Sequence, residues 1–165
     1  MRNMQDYQAY YLYPANLFVD SRPYLITTVL GSCVAVCLYD THRHIGGMNH
    51  FMLPLWNGEG LASPKYGNVA MKHLVNKMQE QGSHQRNLVA KVFGGAAVLD
   101  LENNLFSIGL RNIQVAEQEL IRLDIKILAS STGGTYGRKI IFDTYSGEVR
   151  QKYIKKTNKI NGENR

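Results

Sequence analysis

Between Ala15 and Leu53 the chain is interrupted every few residues by Ser-Arg-Pro, Gly-Ser or Thr-His-Arg-His, and that spacing leaves room for strands but not for a helix. The apolar runs it leaves are Ala15 to Asp20, Tyr24 to Leu30, Cys33 to Tyr39 and Ile45 to Leu53. Consecutive strands with short connections predict an antiparallel meander. No other feature narrows the possible folds as much.

The rest of the chain changes period. Residues Pro54 to Pro64, PLWNGEGLASP, read as a Gly- and Pro-rich loop, long enough to suggest mobility near a site. Ala70, Met71, Leu74, Val75 and Met78 recur at helical spacing over Tyr66 to Gln81, with Gly82 where a helix would stop. Asn87 to Phe93 reads as a strand ended by Gly94-Gly95, Ile108 to Leu123 as a second amphipathic helix, and Ile125 to Ser130 as a strand. Arg138 to Asp143 and Glu148 to Tyr153 flank a turn whose Gly147 can adopt positive φ. About eight strands and two helices predict an α+β fold. The expected form is a single domain of mixed, largely antiparallel β-sheets flanked by two main helices, a layered sandwich. The boundaries are an extension over residues 1–14, the domain over 15–153 and a basic tail over 154–165.

A chain of 165 residues suits one core, and 44% hydrophobic against 19% charged residues supplies it without disulfide or metal staples. No segment approaches the roughly 18 apolar residues of a membrane span, and the N-terminus lacks a signal-peptide core. The expectation is a cytoplasmic protein with both cysteines as thiols and no direct membrane insertion. Much of the +6 net charge falls between Arg150 and Lys159, as in a solvated tail, and no aromatic-basic signature points to nucleic acid.

The stretch LGSCVAVCLYD, residues 30–40, holds the first candidate for chemistry. Cys33 follows a Gly31-Ser32 turn whose free N–H groups can converge on an atom bound near the sulfur, as an oxyanion hole does. A thiol also needs a base. Of the five histidines, His73 falls on a helix, His84 in a polar loop, and His42 and His44 in a turn. If the chain doubles back at that turn, His50 returns to the level of Cys33. Cys37 shares the face of Cys33 two pairs deeper and reads as a packing residue. Zinc is the competing use of the same atoms. It is disfavoured because Cys-x3-Cys on an extended strand separates the sulfurs by about 13 Å.

LGSCVAVCLYD, GGMNHFMLP, KVFGGA (91–96), IGLRN (108–112) and TGGTYGRKIIFDTYSGEV (132–149), in that order, resemble the CheD family of chemoreceptor glutamine deamidases. The resemblance runs from about Ala15 to Tyr153. It implies that Cys33 is the nucleophile, His50 the base and Thr27, six residues before the cysteine, the third catalytic residue, with Thr28 the adjacent alternative. Gly31, Ser32 and Asn49 are the accompanying candidates for oxyanion or substrate contacts. It further implies hydrolysis of selected glutamines on chemoreceptor cytoplasmic helices without metal or organic cofactor, and a partnership with the phosphatase CheC.

Other readings stay open at this level. A module docking on CheC and receptors with little catalysis would carry the same residues, and a receptor methylesterase would use the same acyl transfer. The pairs Gly46-Gly47, Gly94-Gly95 and Gly133-Gly134 admit either close approach of a bound peptide or simple turns and bulges. Tyr136, Arg138 and Lys139 fit either an acidic partner or solvent. Trp56 is a candidate surface anchor.

Overall fold

The computed structural model describes residues 6–97 and 107–155. The basic tail read from the sequence lies, from residue 156 on, outside the described residues, as do residues 1–5. Nine strands and two α-helices follow one another as β1 (Gln8–Tyr11), β2 (Asn16–Asp20), β3 (Tyr24–Leu30), β4 (Val34–Asp40), β5 (Ile45–His50), α1 (Gly67–Glu80), β6 (Leu88–Gly94), α2 (Ile108–Arg122), β7 (Lys126–Thr132), β8 (Gly137–Asp143) and β9 (Val149–Ile154). The α+β class and the layered arrangement agree with the sequence reading.

The strands form two sheets, one ordered β1-β3-β8-β9 and the other β2-β5-β4-β6-β7. Pairing is antiparallel except between β1 and β3 and between β6 and β7. Ile26, Leu30, Ile140 and Phe142 of the first sheet meet Ala35, Cys37, Met48 and Phe93 of the second to fill the space between them. The opposite face of the five-stranded sheet buries Val34, Val36, Leu38 and Phe51 under both helices, through Met71, Leu74, Met78, Ile113 and Leu120. Both helices therefore lie on one side, giving layers of sheet, sheet and helix. Each fully buried side chain of this kind contributes ~1.5–3 kcal/mol.

The meander is corrected. Of the four strands β2 to β5, only β4 and β5 form a hairpin between neighbours; β2 pairs with β5, and β3 pairs with β1 and β8 in the other sheet. At Gly31-Ser32-Cys33 the chain crosses from one sheet to the other rather than turning back beside β3. The cause is burial on both faces: β4 is apolar nearly throughout, so it suits a central strand between two layers. Strand β1 is a second difference, since the sequence reading assigned no element to residues 1–14.

Local chemistry explains the element ends. Asp40 Oδ1 accepts from the N–H of His42 (2.8 Å) and Arg43 (3.0 Å), closing the β4–β5 turn, and His44 takes positive φ there. Helix α1 ends with Gly82 at φ 103° and Ser83 N–H donating to the Met78 carbonyl, the left-handed stop that glycine favours. Helix α2 begins at Ser107, whose hydroxyl accepts from Leu110 N–H at 3.2 Å.

Candidate active site

The hairpin brings the cysteine and the histidine together. Cys37 pairs with Met48, and Val34 bridges to Phe51 in the same register, so His50 lies across from Ala35 and diagonal to Cys33. Side-chain alternation puts Cys33, Ala35, Cys37, Met48 and His50 on one face of the sheet, toward the other sheet. Cys33 is half-buried and His50 is buried. His50 is held on both flanks, since β5 is paired to β4 on one side and to β2 on the other, where Ala15 N–H donates to the His50 carbonyl (2.8 Å).

The first sheet supplies the third member. Thr28, fully buried on β3, lies 2.7 Å from His50 Nδ1 and donates its hydroxyl proton to the Leu12 carbonyl, also at 2.7 Å. A hydroxyl has one proton to give. With it committed to Leu12, the short contact to the ring requires Nδ1–H to donate to Thr28 Oγ1, and Nε2 is then the unprotonated nitrogen. Nε2 is buried and has no hydrogen-bond partner among the described residues. Burial pushes the ring's pKa down to about 4, so the imidazole is neutral. Burial likewise pushes the Cys33 thiol up, only partly offset by its own backbone N–H. Both groups therefore rest uncharged on one face of the sheet, with no hydrogen bond between them.

Thr27, expected from the resemblance, sits elsewhere. It is on the opposite face of β3, lining a shallow surface depression with Tyr11, Val29 and Lys139. Residues six apart on one continuous strand share a face, which would align Thr27 with Cys33. The sheet crossing at Gly31 to Cys33 removes that premise. Asn49 is also displaced from the site: its side chain points to the helices, accepting from Val36 N–H (2.9 Å) and donating to Met71 Sδ (3.4 Å). There it fills a gap in the β4–β5 ladder.

Around Cys33, three successive carbonyls are tied down. Gly31 O accepts from Ala96 N–H (2.9 Å), Ser32 O from Asn112 Nδ2 (3.0 Å) and Cys33 O from Gly95 N–H (2.8 Å). The N–H groups of Gly31, Ser32 and Cys33 make no hydrogen bond to a backbone carbonyl among the described residues. The turn thus presents a run of free donors beside the sulfur, the arrangement that binds a developing oxyanion. Gly94 and Gly95 make the approach possible: both have positive φ, and a Cβ on Gly94 would fall 2.2 Å from the Cys33 carbonyl oxygen. For that pair the close approach is to the chain's own nucleophile turn.

The remaining candidates fall away from this centre. Arg138 is buried, donating to Ser131 Oγ (3.1 Å) and the Gly133 carbonyl (2.9 Å) with Tyr153 stacked against it, so it holds a turn in place of meeting a partner. Trp56 is half-buried and donates its indole N–H to the Glu59 carbonyl of its own loop (2.9 Å). His42, His44 and His84 are exposed, and Cys37 is buried against Met48. No helix among the described residues is long and apolar enough to cross a membrane.

The family profile described as CheD chemotactic sensory transduction matches residues 52–153. The chain belongs to the CheD family. A relative from Sulfurimonas denitrificans, named a probable chemoreceptor glutamine deamidase CheD, is 51% identical over 153 residues, covering 92% of this chain and 98% of its own. Relatives of the same name from Trichlorobacter lovleyi (52% identical, 85% of this chain and 87% of theirs) and Rhodospirillum rubrum (46%, 84% and 78%) are similar in the same way. The CheD profile match begins just after His50, so the likeness across Cys33 and His50 rests on the relatives, the first of which covers 92% of this chain.

Proposed function

We propose that this chain is a cysteine-dependent protein-glutamine deamidase acting on the cytoplasmic helices of chemoreceptors, with Cys33 as nucleophile, His50 as base and Thr28, in place of Thr27, as the residue that orients the ring. The observation that carries the mechanism is the relay from the Leu12 carbonyl through Thr28 to His50 Nδ1, which leaves an unpartnered Nε2 on the face that bears Cys33. That tautomer leaves the lone pair on Nε2, the form in which an imidazole accepts a proton.

Nε2 takes the thiol proton as Cys33 Sγ attacks the glutamine carboxamide carbon, and the carbonyl oxygen becomes an anion held by the N–H groups of the Gly31–Cys33 turn. The protonated ring then gives its Nε2 proton to the leaving nitrogen, and ammonia departs from a thioester. Nε2 next accepts a proton from water, whose oxygen attacks the thioester carbon. Collapse returns the proton to sulfur and releases glutamate. No step draws on a group beyond these side chains, the turn and water. The product exchanges a neutral receptor side chain for an anion, which alters repulsion between receptor helices and makes a carboxylate available for methylation.

We propose further that the surface around the site serves both the receptor and CheC. Met52, Leu55 and Leu61 follow His50 in sequence with exposed side chains, and Leu110 is exposed on the first turn of α2, supporting an apolar rim suited to helical partners. A cytoplasmic location goes with that substrate.

The reading is tested by incubating the protein with receptor cytoplasmic fragments and following mass and ammonia. A gain of about one mass unit at glutamine, absent in Cys33→Ala and His50→Ala, is the expected result. Receptor binding without any mass change would favour a docking module. Loss of a methyl group as methanol would favour an esterase.

A further inference from the structure

The IGLRN stretch places one side chain, Asn112, under the nucleophile turn. Asn112 is fully buried on the inner face of α2, and its Nδ2 spends both hydrogens there, one on the Ser32 carbonyl (3.0 Å) and one on the Met52 carbonyl (3.1 Å). Its Oδ1 is buried with no partner among the described residues. One amide thus ties the residue before the nucleophile to the segment two residues beyond the base.

We propose that Asn112 is a positioning residue for the oxyanion donors: by holding the Ser32 carbonyl toward α2, it aims the Cys33 N–H at the substrate oxygen. A peptide group is planar and trans, so its C=O and N–H point in opposite directions. The Ser32 carbonyl and the Cys33 N–H belong to the same peptide. With the carbonyl drawn to the helix layer, the N–H faces the layer between the sheets, where the Cys33 side chain packs. Two of the three carbonyl ties in the turn come from backbone N–H groups, and only the tie on Ser32 comes from a side chain.

The packing of α2 is built for this reach. Gly109 lets the helix approach the Gly94-Gly95 segment so closely that a Cβ there would lie 2.5 Å from the Gly95 carbonyl oxygen. Helix α2 and the glycine pair then hold the turn from one side as a unit, and Asn112 extends from that unit. Asparagine is a poor helix former. An interior site that accepts both that cost and an unpaired Oδ1 is explained by the two carbonyls that Nδ2 reaches.

The proposal rests on acyl transfer at Cys33, and its test separates the two. Wild type, Asn112→Ala and the isosteric Asn112→Asp are compared in three measurements: thermal melting, alkylation of Cys33 by iodoacetamide, and acylation of Cys33 by p-nitrophenyl acetate read as a nitrophenolate burst. Alkylation is displacement at a saturated carbon and develops no oxyanion, whereas acylation does. The expected result is a fall in burst rate of about 10²-fold or more in both variants, with alkylation within about threefold of wild type. Equal losses in alkylation and acylation would make Asn112 merely structural, and an unchanged burst would overturn the proposal. If Asn112→Ala does not fold, Asn112→Asp decides by the same ratio of the two rates. A wild type that is alkylated but gives no burst would remove the acyl-transfer reading itself, and the proposal with it.

Discussion

Above about pH 6 the His50 ring is uncharged, because it is enclosed between two sheets and an imidazolium there would lose its water with no carboxylate among the described residues in reach to compensate. Its folded pKa of about 4 lies below the roughly 6.5 of an unfolded chain. The unfolded state therefore binds the extra proton between those values, and stability present above pH 6.5 is lost as the pH falls toward 4, by an amount on the order of 3 kcal/mol. Urea midpoints of wild type and His50→Gln across that range should converge on acidification, since the carboxylates are common to both. Identical pH curves would mean that the ring is not a buried neutral group. Thr28 makes a second comparison possible. Thr28→Val keeps the shape but leaves Nδ1–H and the Leu12 carbonyl unpaired, at a cost of about 1–3 kcal/mol for each buried group, and removes the fixed tautomer. Deamidation should fall by roughly 10²-fold, the scale of general-base catalysis. Thr27→Val, on the far face of β3, should leave the rate near wild type, and the opposite ranking would restore the threonine chosen from the sequence.

At the scale of elements, the site is a junction where β3, β4, β6 and α2 meet without side-chain spacers. Gly94 stands at its centre, with φ 107° and its α-carbon against the Cys33 carbonyl. Gly94→Ala brings both a left-handed backbone strain of about 1–3 kcal/mol and a clash that displaces the nucleophile turn. Gly134→Ala is the matched control: its φ is 74°, but nothing lies within 4 Å of the added methyl. Melting temperature should drop in both, whereas the rate of Cys33 alkylation should change only in Gly94→Ala. A changed rate in both would place the effect in general destabilisation. The motifs KVFGGA and IGLRN were legible as resemblance, but their purpose was not. Glycine's tolerance for contact shows only once the contacting backbone is known, as where Gly94 meets the Cys33 carbonyl, and Asn112 of IGLRN reaches carbonyls 80 and 60 positions away.

For the whole molecule, the N-terminal stretch is tied to His50 through Thr28 as well as to the fold. Strand β1 lies beside β3, Tyr10 stacks on Phe18 at 3.9 Å, and the Leu12 N–H donates to the Thr27 carbonyl (2.8 Å) while its own carbonyl receives Thr28. A chain begun at Leu12 keeps Cys33, Thr28 and His50 yet loses the pairing that holds Leu12 in place. It should be less stable by about 2 kcal/mol or more, from the apolar contact removed, and slower in deamidation at temperatures where it is still folded. Calorimetry with a receptor-fragment assay checks both, and an unaltered rate would separate β1 from catalysis.

What the amino-acid sequence determined alone was whatever depends on near neighbours. Strand and helix periods, the Asp40 turn and the return of His50 to the level of Cys33 all follow from contacts within one hairpin, where alternation and turn chemistry act over a few residues. Tertiary structure alone decided which strand joins which sheet, and with that the contact of Thr28 rather than Thr27 with His50, the placing of Asn49 with the helices and the burial of Arg138. The physical reason is that a β-strand's backbone donors accept any strand edge. The partner is chosen by the two faces that must be buried together, and those faces come from parts of the chain with no local relation to one another.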